Sequence, residues 1–317
     1  MSKKVKVSAP GKIILSGEHA VVYGKPEIIG AINQRLEVTI KELESSTKSL
    51  IFSSQEPSGL LEFGTKKIFK ILGKYPKKAL EICVDSEIPI GSGLGSSAAL
   101  AVAITTALFK FFNQTIDRKK INEIAYEIEK RQHGTPSGGD NTVVTYGGFL
   151  WYRKETESFK FFKPLRFSSD KLSEFVLINT GRPMETTGEM VAIVKYLYNR
   201  NKKRVEEILN GIEEVTRQML IAFDQAETKK IMLAIKKNEQ LLEKLEVVSP
   251  FAKRIIREIE KKGGSAKICG AGGKRKGSGI LLAFHPKKEV IFKLTEKWSL
   301  PTFEVKLGEE GVKIEKN

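Results

Sequence analysis

With 317 residues, 40% hydrophobic and 29% charged, the chain has material for one large or two ordinary domains and is neither disordered nor collagen-like. Its 54 Lys and Arg against 38 Asp and Glu give a net charge of +16. The basic residues are spread through mixed stretches such as "KKRVEEILNGIEEVTRQ", which argues against a nucleic-acid partner and suits an anionic small substrate. Cys83 and Cys269 lie outside any CxxC pair, so neither a disulfide framework nor a zinc site is expected.

The start, "MSKKVKVSAPGK", alternates basic and apolar residues and lacks the apolar core of a signal peptide. The apolar run from Ala98 to Phe109 is too short to span a bilayer. A soluble, cytoplasmic protein with no membrane partner is the expectation. Val5 and Val7 alternate with Lys as in a half-buried strand, and "KIILSG", "RLEVTIKEL" and "SLIFSS" read as further strands. A helix is predicted over Gly59 to Leu72, then a strand in "EICVDSEI". Ala98 to Phe112 is too long and too rich in Ala and Leu for a strand and reads as a buried helix. Asp117 can cap the next helix, on which Ile121, Ile124, Ala125 and Ile128 form one stripe. "TVVTYGGFLWYR" reads as strand, turn, strand.

After "FVLINTG" the pattern changes to amphipathic helices. One carries Val205, Ile208, Leu209, Ile212, Val215 and Met219, a second Ile231, Ile235, Leu241, Leu242 and Leu245, and a shorter one covers Phe251 to Lys262. "SAKICGAGGKRKGSGILLAF" reads as strand, glycine loop, strand; the helix "KKEVIFKLTEKW" and the strand "TFEVKL" follow. Strands in runs followed by helices in runs indicate an α+β chain, divided near Leu165 into 1–165 and 166–317.

The chemistry concentrates in "EIPIGSGLGSSAALAVAI". Gly91, Gly93 and Gly95 let the backbone approach a ligand, and Ser96 and Ser97 open a helix whose free N–H groups favour an anion. The GxGxG spacing is neither a Walker A loop nor a GxGxxG fingerprint, so these residues alone fit either a phosphate site or a Ser-capped helix after a turn. Three companion segments favour the site. "SAPGKIILSGEHAVVYGKP" gathers Lys12, Glu18 and His19 around one strand, "HGTPSGGDNTVVTYGG" sets Asp140 among small residues, and "CGAGGKRKGSG" is a second glycine loop.

These stretches, in this order and over the whole chain, resemble the GHMP kinase superfamily, and the Lys12 and Asp140 segments resemble most its branch that acts on mevalonate. "GEHAVV" stands where galactose-specific members show "GEHTDY". The resemblance implies a two-domain fold: an N-terminal ribosomal-S5-like domain that binds the nucleotide, and a ferredoxin-like C-terminal domain with helices packed on an antiparallel sheet. It implies ATP and mevalonate as partners, Mg²⁺ as cofactor, phosphoryl transfer to the mevalonate 5-hydroxyl, and a homodimer. Phosphomevalonate or another small alcohol is the alternative acceptor.

Residue by residue, it makes Pro89, Gly91, Ser92, Gly93, Leu94, Gly95, Ser96 and Ser97 the nucleotide loop, with Ser97 and Glu129 contacting Mg²⁺. Asp140 is the catalytic base and Lys12 the active-site lysine. Glu18 and His19 contact the substrate, whose carboxylate His19 serves better, and Thr187, or Thr186 in its place, lies near the substrate hydroxyl. The second glycine loop departs from the family's "GAGGGGC": Lys274, Arg275 and Lys276 intrude, as a solvated loop tip or as extra positive charge near the phosphates.

Overall fold

The computed structural model describes residues 3–44, 49–54, 59–89, 91–134, 136–167 and 175–316. The alternating N-terminus pairs as its pattern dictates: β1 (Lys4–Ser16) and β2 (Pro26–Glu42) form one long antiparallel ladder. The 17 residues of β2 serve two further partners. Its first part pairs with β5 (Phe149–Lys154) and its last part with β4 (Leu80–Ser86). β3 (Leu50–Ser54) runs parallel to β4 through a crossover made by α1 (Gly59–Leu72), and β6 (Lys160–Leu165) folds back onto β5. The chain's end returns as β11 (Lys313–Ile314) beside β1.

Helix α2 (Ser96–Phe111) explains the charge-free run. Every residue from Ala98 to Phe109 is buried, because β1 and β2 cover one side while α1, α3 (Arg118–His133) and α4 (Gly139–Tyr146) cover the others. A helix enclosed all round has no polar face to keep. Its two threonines spend their hydroxyls within the helix, Thr105 on the Ala101 carbonyl at 2.6 Å and Thr106 on that of Val102 at 2.9 Å. On α3, Asp117 accepts from the Lys119 N–H at 2.9 Å, and Ile121, Ile124, Ala125 and Ile128 are all buried, as the stripe predicts.

The segment "DNTVVTY" corrects the sequence reading: it is helix α4, not a strand. The β-branched run suggested a strand, but Val143 and Val144 are buried against α2 and α3. Thr142 and Thr145 donate to the carbonyls of Gly138 and Asn141, four residues back, at 2.6 and 2.7 Å. Packing and these bonds outweigh intrinsic preference.

A second sheet, all antiparallel, runs β10 (Thr302–Glu304), β7 (Phe175–Asn179), β9 (Ile280–Phe284), β8 (Ser265–Ile268). Its two central strands, β7 and β9, read as apolar runs because both faces are covered. On β7, Phe175 and Leu177 join the core of the first sheet while Val176 and Ile178 join a second core under the later helices. Those helices are α5 (Thr187–Arg200), α6 (Lys202–Asp224), α7 (Thr228–Lys244), α8 (Pro250–Lys261) and α9 (Glu289–Glu296). α7 and α8 pack on β8, and α6 reaches back to β1 and β2. Leu165 ends β6 of the first sheet, and the next described strand, β7, belongs to the second. Among the described residues no helix is long and apolar enough to cross a membrane.

Arg35 of β2 fastens the returning C-terminal segment. Its guanidinium donates to the carbonyls of Glu310, Gly311 and Ser8 at 3.1, 2.8 and 3.2 Å and to the Ser8 hydroxyl at 2.8 Å. Arg35→Ala should lower unfolding stability by about 2 kcal/mol or more, since hydrogen bonds from a charged donor are lost together. Arg35→Lys, which lacks the planar fork, should recover only part of this in denaturant titrations.

Candidate active site

The site begins with a break in a ladder. Between Pro10 and Lys12 the β1–β2 register shifts, and the Lys12 N–H pairs instead with the Leu94 carbonyl of the first glycine loop at 2.9 Å. Such an irregularity re-aims a side chain. The Lys12 side chain is buried and its Nζ lies 3.1 Å from Asp140 Oδ2, in the first turn of α4. Burial disfavours the ammonium, but the charge and hydrogen bond of Asp140 offset it and hold Lys12 above its ordinary value.

The glycine loop closes over this lysine. Gly95 has φ +78°, and a Cβ there would lie 2.6 Å from Lys12 Cγ, so only glycine lets loop and side chain approach. Gly91, Gly93, Gly95, Ser96 and Ser97 line a cleft of about 410 Å³ at the N-terminus of α2. Pro89, Ser92 and Leu94 stand behind it. The Ser92 hydroxyl donates to the Pro89 carbonyl at 2.5 Å, the Ser92 carbonyl accepts from Ile280 N–H at 3.1 Å, and Leu94 is fully buried. The loop is therefore braced by β1 and by β9 while its glycines face the cleft.

Glu129 reaches the same cleft from α3 and is 2% exposed. Burial, then the charge of Asp140, push its carboxyl up to about 8, against a hydrogen bond from Ser97 that pulls it down. A carboxylate so placed calls for a cation, and Ser97 and Glu129 together offer the oxygen ligands that suit a hard one. Among the described residues no three His, Cys, Asp or Glu side chains gather as a metal site.

Glu18 and His19 follow β1 and line the same cleft. Glu18 forms a wholly buried ion pair with Lys267 of β8, and its other oxygen accepts from Asn238 Nδ2 of α7 at 3.0 Å. Lys267 also donates to the carbonyls of Ile14 at 3.1 Å and Ile268 at 2.8 Å. These bonds join β1, β8 and α7, and they commit Glu18 to the protein itself.

His19 has φ +60°, and its Nε2 donates to the Ala271 carbonyl at 3.0 Å, which leaves the buried Nδ1 without a partner. Burial depresses the ring to about 4. The imidazole is neutral, with an acceptor nitrogen that suits a hydroxyl.

Thr187 lines the cleft, whereas Thr186 caps α5, its hydroxyl accepting from Glu189 N–H at 3.2 Å. From the second glycine loop, Gly270 and Ala271 line the cleft, and the Lys-Arg-Lys intrusion does not. Lys274 pairs with Glu246 at 2.9 Å and Arg275 with Glu185 at 2.8 Å. The intrusion is thus exposed, with two of its three charges paired, and it fastens the loop to the segment before α5. Four cleft and near-cleft residues escaped the sequence reading: Glu27, Arg182, Asn238 and Lys267. Only Lys267, a cation inside an apolar strand, carried a readable signal.

A glycine loop and helix start beside a Lys–Asp pair, on this two-sheet fold, fit one class, and the comparisons show it: the chain is a GHMP kinase. The family model described as "GHMP kinases N terminal domain" matches residues 64–148. The chain is 37% identical to the mevalonate kinase of Archaeoglobus fulgidus over 97% of this chain and 99% of that one, and it belongs to the mevalonate kinase family. Its fold superposes on the crystal structure of L. major mevalonate kinase in complex with R-mevalonate with a TM-score of 0.83, at 23% identity, covering 98% of this chain and 99% of that chain. A phosphomevalonate kinase of Streptococcus pneumoniae has a TM-score of 0.76 at 18% identity, covering 97% and 99%.

Two outcomes follow from this geometry. His19 is neutral when folded but takes a proton near the ordinary imidazole value of 6.5 when unfolded, so its share of stability is present above 6.5 and is lost as pH falls toward about 4. In His19→Asn, which tolerates positive φ, the acid loss of melting temperature over this window should be smaller than in the wild type. Replacing Lys274, Arg275 and Lys276 together by Ala should leave the KM for ATP unchanged; a several-fold rise would place their charge at the phosphates.

Proposed function

We propose that the protein transfers the γ-phosphoryl group of ATP to the 5-hydroxyl of mevalonate, giving 5-phosphomevalonate and ADP. The observation that carries this reading is the pair of buried Lys12 and half-buried Asp140, 3.1 Å apart, in the cleft lined by the glycine loop and the start of α2. The loop amides and helix dipole hold the triphosphate, and Arg182, whose side chain lies against Gly91, adds a cation at the same end. Asp140 accepts the proton of the substrate hydroxyl. The freed oxygen bonds to the γ-phosphorus, the bond from that phosphorus to the β–γ bridging oxygen breaks, and ADP departs. Lys12 orients the Asp140 carboxyl and favours the charge that develops on the attacking oxygen.

Ser97 and Glu129 would hold Mg²⁺ together with phosphate oxygens; bound there, the ion neutralises charge on the phosphates undergoing transfer. In the same cleft, the His19 Nδ1 accepts from a substrate hydroxyl, and Thr187 lies beside the acceptor. Glu18 acts by fixing the turn that presents His19, since its carboxylate is taken up by Lys267 and Asn238.

We also propose that the chain divides functionally into 1–165 and 166–317, that it works in the cytoplasm, and that it forms a homodimer. The first rests on the change of sheet after Leu165. The other two rest on the family resemblance.

Asp140→Asn should lower kcat by about 10²- to 10⁴-fold while nucleotide affinity stays near normal. Phosphorus NMR of the products, with mevalonate, phosphomevalonate, homoserine and galactose compared as acceptors, checks both the base and the substrate. Full activity in Asp140→Asn would overturn the base assignment, and preference for another acceptor would overturn the substrate.

A further inference from the structure

A third carboxyl group stands behind the Lys12–Asp140 pair. Glu27, the second residue of β2, is fully buried and borders the cleft. Its backbone is fixed from both sides: it pairs with Tyr152 of β5, and a Cβ on Gly17 would lie only 2.5 Å from its Cα. Its side chain extends to the start of α4, where a Cβ on Gly139 would overlap its Oε1. The glycine immediately before Asp140 thus leaves the space that the Glu27 carboxyl fills. Neither carboxyl oxygen has a hydrogen-bond partner.

An ionised carboxylate with no donor, away from water, is costly unless a cation is its own. The charged and titratable groups that face Glu27 are few. They are Lys12 on β1, Glu18 just beyond it, Asp140 on α4, and Tyr152 on β5. The Tyr152 hydroxyl already donates to the Ser137 carbonyl at 2.7 Å. The Lys12 ammonium is held by Asp140 at 3.1 Å. One cation therefore faces two acids, and only one acid can ionise at low cost.

We propose that Glu27 is a positioning residue of the reaction centre, a neutral carboxyl packed behind Asp140 that leaves Lys12 to pair with Asp140 alone. The proposal rests on the reading of Asp140 as the base. The electrostatics agree: burial first, then the charge of Asp140 and that of Glu18, push the Glu27 acid well above the usual carboxylate range, and Lys12 does not offset them. While Glu27 is neutral, the pair carries no net charge toward the incoming triphosphate. An ionised Glu27 would divide the Lys12 ammonium between two partners and add a negative charge behind the base.

The test compares Glu27→Gln and Glu27→Ala in the full chain, by steady-state kinetics and by thermal unfolding across pH. Glu27→Ala opens a wettable space behind the pair and should lower kcat by about ten- to a hundredfold with little change in the KM for ATP. Glu27→Gln, isosteric with the neutral acid, should restore most of that loss. Thermal unfolding reads the protonation state apart from catalysis. The folded acid titrates well above its unfolded value near 4.5, so the wild type gives up stability as pH rises from 4.5 toward the folded value. The amide has nothing to titrate, and the melting temperature of Glu27→Gln relative to the wild type should climb over that window.

Kinetics of Glu27→Gln as poor as those of Glu27→Ala would overturn the proposal, as would a melting difference that does not change with pH. Asp140→Asn separates the two readings. If that variant keeps its activity, the base assignment fails, while the pH signature of Glu27 still reports its protonation.

Discussion

An ammonium group inside a protein must find an opposite charge or lose its own, and the ammonium of Lys12 is the group around which this cleft is arranged. A buried charge left without a partner is costly, so an element that supplies a partner to Lys12 is held in register by that need. Three parts of the chain converge to meet it. A shift in the β1 ladder turns the lysine inward, the first turn of α4 brings Asp140 to 3.1 Å, and the glycine loop closes over the stem at Gly95. The helix that follows the loop is uncharged because sheet and helices enclose it, and it stands as a rigid base for the amides at its start.

A second pair, wholly buried, stands beside the same cleft. Glu18 and Lys267 are both removed from solvent, and their bonds tie the strand that carries Lys12 to the second sheet and to α7. The two parts of the cleft lining therefore differ in kind. Toward α2, backbone amides and Lys12 offer positive potential with a buried Glu129 nearby. Toward His19, a neutral ring offers an acceptor nitrogen and Glu18 offers nothing free. Charge is concentrated where phosphates would lie, and selectivity for an alcohol is left to neutral hydrogen-bonding groups.

Much of this was legible in the residues. Periodicity located α1, α2, α3 and the long helices of the second half, because each buries one stripe or a whole surface. Lys12, Glu129, Asp140, Ser97 and the three glycines were singled out from their segments and the family resemblance, and all of them border one cleft. Helix α4 was missed because threonine and valine favour strands by propensity, and only packing against α2 and α3 decides otherwise. The protonation of His19 was not legible because burial, which sequence does not display, determines it. Glu27 was invisible for a related reason: in "GKPEIIG" it looks like an ordinary strand glutamate, and only the opposition of Gly17, Gly139 and Tyr152 shows that it has nowhere to reach water.

The central claim is that Lys12 and Asp140 act as one unit. A double-mutant cycle on kcat/KM for mevalonate, with Lys12→Met, Asp140→Asn and the two combined, measures this most directly. If the pair is a unit, the combined variant should be hardly worse than the poorer single variant, because the first substitution already removes what the second would. Losses that multiply, so that their free energies add, would show two independent groups and contradict the account.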